Sequence, residues 1–264
     1  MIPQKKSQGR TIQSVERSIK ALLLFFEDDQ ELGIKDFARK LDLPKPTIYS
    51  LVNTMTQYQL LEQNPENSKY RLGPVLFRLG LQYARQSDVL STVGVWTERL
   101  CYKFSQSVNV CMLMSGQVVV VYKADPDQVV ISYPDAGTVV PVHNTANGKI
   151  LLAYADPNVR DAILSDYDFF KSTPHTITDR AKFEKELERV EKEGISFNRQ
   201  EGVSGIHAMA GPIFNHTGQV VASFAISGNP DYFKTNESRL VGEVKKTAKS
   251  ISKQLGYAGI IYGI

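Results

Sequence analysis

The sequence predicts an α+β protein in two parts, a small winged helix-turn-helix head followed by a larger domain of mixed helix and strand. Three observations carry that expectation. Apolar residues recur at i, i+3, i+4, i+7 twice near the start, as Ile34, Phe37, Ala38, Leu41 and as Ile48, Leu51, Val52, Met55, with only Asp42–Pro46 between them. A turn-rich stretch, Asn64-Pro65-Glu66-Asn67-Ser68, follows between two short strand-like runs. From Val89 onward, β-branched runs alternate with helical stripes. Two short helices joined by so tight a corner read as a helix-turn-helix, whose second helix lays its polar side in a DNA major groove.

In chain order, residues 1–10 form a basic arm. Lys5, Lys6, Arg10, Arg17 and Lys20 face only Glu16 in the first twenty residues, a bias that suits phosphate contacts and equally a solvated tail. The head spans 11–72. Its first helix runs from about Ser14, as N-cap, to Phe26, with Val15, Ile19, Leu22, Leu23 and Phe26 as the buried stripe. The acidic loop 27–31 and Gly33 lead to the second helix, where Ala38 lets the third pack close. Asp42 stands at the corner, a residue that tolerates left-handed backbone better than most.

The third helix starts near Pro46, where a proline costs little. With Ile48, Leu51, Val52 and Met55 inward, Lys45, Thr47, Tyr49, Ser50, Asn53, Thr54 and Gln57 face out. Such side chains reach base edges or phosphates, or simply clothe a solvated face. Leu60–Gln63 and Lys69–Leu72 pair as the wing, with Lys69 and Arg71 alternating outward. Gly73-Pro74 stops the wing, and Val75, Leu76, Leu79 and Tyr83 stripe a linker helix across 73–88.

The domain 89–264 opens with a helix striped by Val89, Val93, Trp96, Leu100 and Phe104. Strands follow at Val108–Met114, Val118–Ala124, Val129–Tyr133 and Val139–His143. Helices then span about Thr145–Tyr154 and Asn158–Leu164, and Thr178 caps a charged helix, Asp179–Glu193, closed by Gly194. Strands Ile195–Arg199, Ile206–Phe214 and Val220–Ser227 precede a last helix from about Asn236 to Leu255.

Composition narrows the class. A chain with 42% hydrophobic residues and this length buries a sizeable core. No run approaches the ~18 apolar residues of a membrane span, and the first residues lack a secretory leader's apolar stretch. Cys101 and Cys111 sit in apolar surroundings and read as free thiols in a reducing cytosol. The net charge of +3 is compatible with a polyanion without requiring one.

Several stretches carry a resemblance. They are Ser14–Leu22, Leu41-Asp42-Leu43-Pro44-Lys45-Pro46-Thr47 and Tyr70-Arg71-Leu72-Gly73 in the head. Farther on come Pro141-Val142-His143-Asn144-Thr145-Ala146-Asn147-Gly148-Lys149, Glu201 with Gly205, Ala210-Gly211-Pro212 and Ile226-Ser227-Gly228. In this order the sequence resembles the IclR-type bacterial transcriptional regulators from Arg10 to about Asn229. The resemblance implies a C-terminal effector-binding and oligomerisation domain with a GAF- or PAS-like sheet. It also implies dimers or tetramers on palindromic duplex operators in the cytoplasm, and a small-molecule effector such as an organic acid or aromatic metabolite. It places the effector among Val129, Ser132, Ala146, Asn147, Asn198, Ala208, Ala225 and Ser227. Asp42 stands where the family commonly has glycine, Ala208 where cysteine is frequent, and Asn198 where an acid is frequent.

Independently of resemblance, Thr145-Ala146-Asn147-Gly148 opens a helix directly after a strand, which suits an anion or is merely a capped helix. Ser227 would close the far side, and a near-neutral lining would suit an uncharged or singly anionic metabolite. An enzyme is the rival class. His143, His175, His207 and His216 show no ligand spacing, and there is no nucleophile elbow or phosphate loop. Cys111 with His143 is the one conceivable nucleophile pair. No catalytic residue, metal or cofactor is expected.

Overall fold

The computed structural model describes residues 11–26, 31–127 and 134–259. The described residues separate into two compact units, divided between Gln86 and Ser87.

The first unit holds α1 (Gln13–Leu23), α2 (Ile34–Leu41), α3 (Lys45–Gln57), β1 (Leu61–Gln63), β2 (Tyr70–Leu72) and α4 (Pro74–Arg85). Phe37, Ile48, Val52 and Met55 meet Ala21, Leu61 and Tyr70 in one core. The corner between α2 and α3 turns on Asp42, at φ 52° and ψ 51°, and Leu43 N–H donates to Ala38 O at 3.1 Å. β1 and β2 form an antiparallel wing, to which Leu32 adds a bridge through two backbone hydrogen bonds with Tyr70.

Helix α1 differs from expectation. Ile12, not Ser14, occupies the N-cap without a side-chain bond, and the α-helix ends at Leu23 before a 3-10 turn over Leu24–Phe26. Val15, Ile19 and Phe26 are 52%, 51% and 76% exposed, and Ala21 is the buried residue of the helix. Periodicity marks an apolar face but not what covers it, and so compact a head uses only one side of α1.

The second unit contains α5 (Asp88–Phe104), β3 (Ser107–Met114), β4 (Gln117–Ala124), β5 (Val139–Val140), α6 (Ala146–Ala153), α7 (Pro157–Leu164), α8 (Arg180–Glu193), β6 (Ser196–Arg199), β7 (His207–Phe214), β8 (Val220–Gly228) and α9 (Pro230–Gln254). The six strands run β5-β4-β3-β8-β7-β6, antiparallel at every pairing. Alternation along each strand divides the side chains between two cores. Val108, Val110, Phe224 and Ile226 pack under α5 and α9. Cys111, Ala208, Ala210 and Ala225 lie with Ile150 and Leu152 of α6 and Phe183 and Leu187 of α8.

Other boundaries move where a cap signal overrides periodicity. Asp179, not Thr178, caps α8 by accepting from Lys182 N–H, and Gly194 ends it at φ 68°. Helix α7 starts under the Asp156 cap, and α9 begins six residues before Asn236, with the Asn229 side chain capping and Pro230 in the first turn. β5 is only two residues, because the chain leaves the sheet at Pro141 and turns toward α6. The strand expected at Val129–Tyr133 lies outside the described residues. Among the described residues no helix is long and apolar enough to cross a membrane.

Candidate nucleic-acid face and effector cavity

In the head, the packing of Ile48, Val52 and Met55 inward turns one side of α3 to solvent. Lys45, Tyr49, Ser50, Asn53 and Thr54 are exposed there, and Thr47 is half-buried. The Ser50 and Thr54 hydroxyls donate back to Pro46 O at 3.1 Å and Ser50 O at 2.8 Å. Their lone pairs remain able to accept, while Asn53 keeps a whole amide for hydrogen bonding. On the wing, Lys69 and Arg71 are exposed, and Arg71 Nε donates to Glu62 Oε1 across the hairpin at 2.5 Å. The wing turn is tied down by Glu31, whose carboxylate accepts from Asn64 Nδ2 at 2.7 Å and Asn67 Nδ2 at 2.6 Å. Those two amides hold the Glu31 carboxyl below its ordinary value. Arg10 lies outside the described residues.

The second unit carries a cavity of about 210 Å3 at the ends of β6, β7 and β8, on the α6 side of the sheet. Its walls include Val140, Pro141, Asn144, Thr145, Phe170, Ser172, Asn198, Gly202, Ile206, Ala208 and Ser227. Of the residues singled out from sequence, Asn198, Ala208 and Ser227 are on this wall, whereas Val129 and Ser132 lie outside the described residues. Ala146, Asn147 and Ala225 are not on it. They are buried in the core between α6 and the sheet. Asn147 Nδ2 donates to Asn109 Oδ1, and its Oδ1 accepts from Ser223 Oγ at 2.8 Å, so its amide ties α6 to β3 and β8. The start of α6 is itself capped, since Thr145 Oγ1 accepts from Gly148 N–H at 3.1 Å. A Cβ at Gly148 would come within 2.4 Å of Val142 O, so glycine is what lets α6 sit against the turn that forms the wall.

A closed circuit of hydrogen bonds joins three segments of this wall. Glu201 N–H donates to Asn198 Oδ1 at 2.7 Å, and Asn198 Nδ2 donates to Asn144 O at 2.9 Å. Asn144 Nδ2 donates to Ser172 Oγ, Ser172 N–H to Thr176 Oγ1, and the Thr176 hydroxyl returns to Glu201 O. Behind it Lys149, 1% exposed, donates through Nζ to Glu201 Oε1 at 2.7 Å and Phe197 O at 2.8 Å, and Glu186 Oε1 lies 3.4 Å away. Burial pushes the Glu186 carboxyl up, yet Arg189 and Lys149 hold it below the ordinary carboxylate value.

His143 pins a further part of the wall. Its Nε2 lies 3.0 Å from Phe170 O, so that nitrogen carries the proton. Nδ1 then accepts from Tyr167 OH at 2.8 Å, and that hydroxyl accepts from Val142 N–H. Burial lowers the imidazole's proton affinity and keeps it neutral. The Cys111–His143 pairing is therefore not formed: both imidazole nitrogens are engaged elsewhere, and burial pushes the Cys111 thiol up to about 12. Among the described residues, no group of His, Cys, Asp or Glu side chains converges to hold an ion.

Sequence reasoning missed Asn144, Phe170, Ser172, Gly202 and Ile206. Asn144 stands immediately before a helix cap. Phe170, Ser172 and Gly202 lie in segments without periodicity, and Ile206 opens an expected strand whose pattern does not say what it faces, so no local signal marks them.

Two family models match the chain, the IclR helix-turn-helix domain over residues 14–65 and the bacterial transcriptional regulator IclR C-terminal domain over 81–253. The HTH-type transcriptional regulator XynR of Escherichia coli is 30% identical over 249 residues, which is 93% of this chain and 98% of that protein. A solved transcriptional regulator from Rhodococcus sp. RHA1 superposes with a TM-score of 0.81 at 26% identity, covering 93% of this chain and 98% of that one. An IclR homologue from Microbacterium hydrocarbonoxydans, solved with 4-hydroxybenzoate, also gives 0.81 at 23% identity, over 92% and 98% of the two chains.

Proposed function

This chain belongs to the IclR family of bacterial transcriptional regulators, and on that premise we propose that it controls a catabolic or metabolic operon through an effector held in the second unit's cavity. It is a helix-turn-helix regulator and not an enzyme. In this reading α3 enters the major groove, with Thr47, Tyr49, Ser50, Asn53 and Thr54 at base edges or phosphates. Lys45, Lys69, Arg71 and Arg10 grip the backbone. One observation carries the sensing half: a mainly apolar cavity, walled by segments cross-linked through buried hydrogen bonds, with no Cys, His, Lys, Arg, Asp or Glu on its wall among the described residues.

At about 210 Å3 the cavity is smaller than the roughly 300–1,000 Å3 of sites for drug-sized ligands, which suits a small organic acid or aromatic metabolite. The working species is a homodimer or a pair of dimers on a palindromic operator. Helix α4 supports this, since it buries no residue of its own and leaves Phe77, Leu79, Leu81 and Tyr83 exposed, while α1 leaves Ile12, Val15 and Ile19 exposed. Apolar faces of that extent want a partner, and a second copy of the same head supplies one. An effector that fits one arrangement better shifts the spacing of paired heads, and a few kcal/mol of preference releases an operator. The protein acts on the nucleoid, in the cytoplasm.

The test is footprinting upstream of the adjacent operon with the intact chain and with Asn53→Ala. A base contact at Asn53 is worth about 1–3 kcal/mol, so the variant loses affinity with its melting temperature unchanged. No protected tract, or an unchanged affinity for Asn53→Ala, refutes the assignment.

A further inference from the structure

One residue of the cavity wall has unmet hydrogen-bonding capacity, and a neighbour behind the wall shares it. Asn144, 2% exposed, satisfies its amide nitrogen on Ser172 and its backbone oxygen on Asn198, but its Oδ1 has no partner. Glu201, in the same circuit, satisfies Oε1 on Lys149 and leaves Oε2 without one. Both atoms are acceptors. Position 202 is glycine, and a Cβ there would press to 2.9 Å from Asn144 O, so the backbone there packs directly on Asn144. An unmet buried acceptor keeps its desolvation cost, and a ligand that brings a donor recovers it.

The rest of the wall speaks against an anion. No Lys, Arg or His lines the cavity among the described residues. A carboxylate entering here would lose its water and gain no cation in return. Val140, Phe170 and Ile206 offer apolar surface to a ring.

We propose that Asn144 is the specificity-determining residue of the cavity, its Oδ1 accepting a hydrogen bond from the hydroxyl of a small uncharged phenol or aryl alcohol. This rests on the effector-sensing reading and narrows it to donor-bearing, uncharged ligands.

The experiment is calorimetric titration of the full chain with 4-methylphenol, 4-methylanisole and 4-methylbenzoate, which share a ring and differ in the donor. The phenol is expected to bind about tenfold or more tightly than either of the others. Asn144→Leu erases that preference, and Asn144→Asp, which keeps an acceptor, retains it. No phenol binding, equal binding of the anisole, tighter binding of the benzoate, or a preference that survives in folded Asn144→Leu overturns the proposal. Should Asn144→Leu not fold, the phenol-to-anisole ratio of the unsubstituted chain decides by itself. Benzoate binding that Ala208→Trp abolishes sinks the proposal and leaves the effector reading intact. That reading fails separately if no metabolite in a broad panel binds or alters operator affinity.

Discussion

Replacing Lys149 by methionine gives the sharpest test of the wall's construction. The ammonium is 1% exposed and is the hydrogen-bond partner of Glu201 Oε1 at 2.7 Å, while Glu201 Oε2 has none. Methionine fills the volume of the stem but strands a carboxylate that is itself 7% exposed. Removing one partner of a buried pair costs about 3–5 kcal/mol, because the survivor keeps its desolvation penalty without the attraction. For a unit of this size that is roughly 6–20 °C of melting temperature. The Lys149→Met/Glu201→Leu double substitution removes both charges and recovers most of the loss, since an apolar pair of similar volume is often neutral there. Chemical denaturation of the four proteins of this cycle reads the coupling directly. A loss under about 1 kcal/mol for Lys149→Met, or additive losses in the double variant, refutes the reasoning.

Three further outcomes follow from particular residues. Asp42→Val destabilises the head by about 1–2 kcal/mol in denaturant titration, because a β-branched residue resists the left-handed backbone at φ 52°, whereas Asp42→Gly is nearly neutral. Phe37→Ala, at a fully buried site, costs about 3–5 kcal/mol and abolishes operator binding in gel shifts, while ligand binding by the second unit persists. Burial lowers the proton affinity of His143 and His207 below the ordinary 6.5, so the unfolded chain takes up their protons first. Their stabilisation is complete above that value and drains away as pH falls through it. Denaturation at pH 7.5 and 5.5 therefore shows a smaller loss for His143→Gln than for the unsubstituted chain, and an equal loss contradicts the assignment.

Resemblance and periodicity made much of the head legible. The stripes of α2 and α3, the Asp42 corner and the wing all depend on contacts within about thirty residues, so spacing suffices to find them. The cavity was legible only in part. Asn198, Ala208 and Ser227 alternate on strands of the face that carries it, but Asn147 is drawn inward by Asn109 and Ser223, which are far away in sequence. Its small polar neighbours looked the same in either setting.

The sequence by itself determined the α+β class, the helix-turn-helix with its wing, most of the described strands and helices of the second unit, and membership of a regulator family. All of these follow from local periodicity, turn chemistry and ordered motifs. Only the tertiary structure decided which apolar faces of α1 and α4 stay uncovered, and which polar groups became core. It also decided that Asn144, Ser172 and Gly202 meet Asn198 around one cavity. The reason is physical: periodicity fixes which side of an element is apolar, but its partner is chosen by the packing of segments remote in sequence, and a hydrogen-bond circuit exists only once they meet.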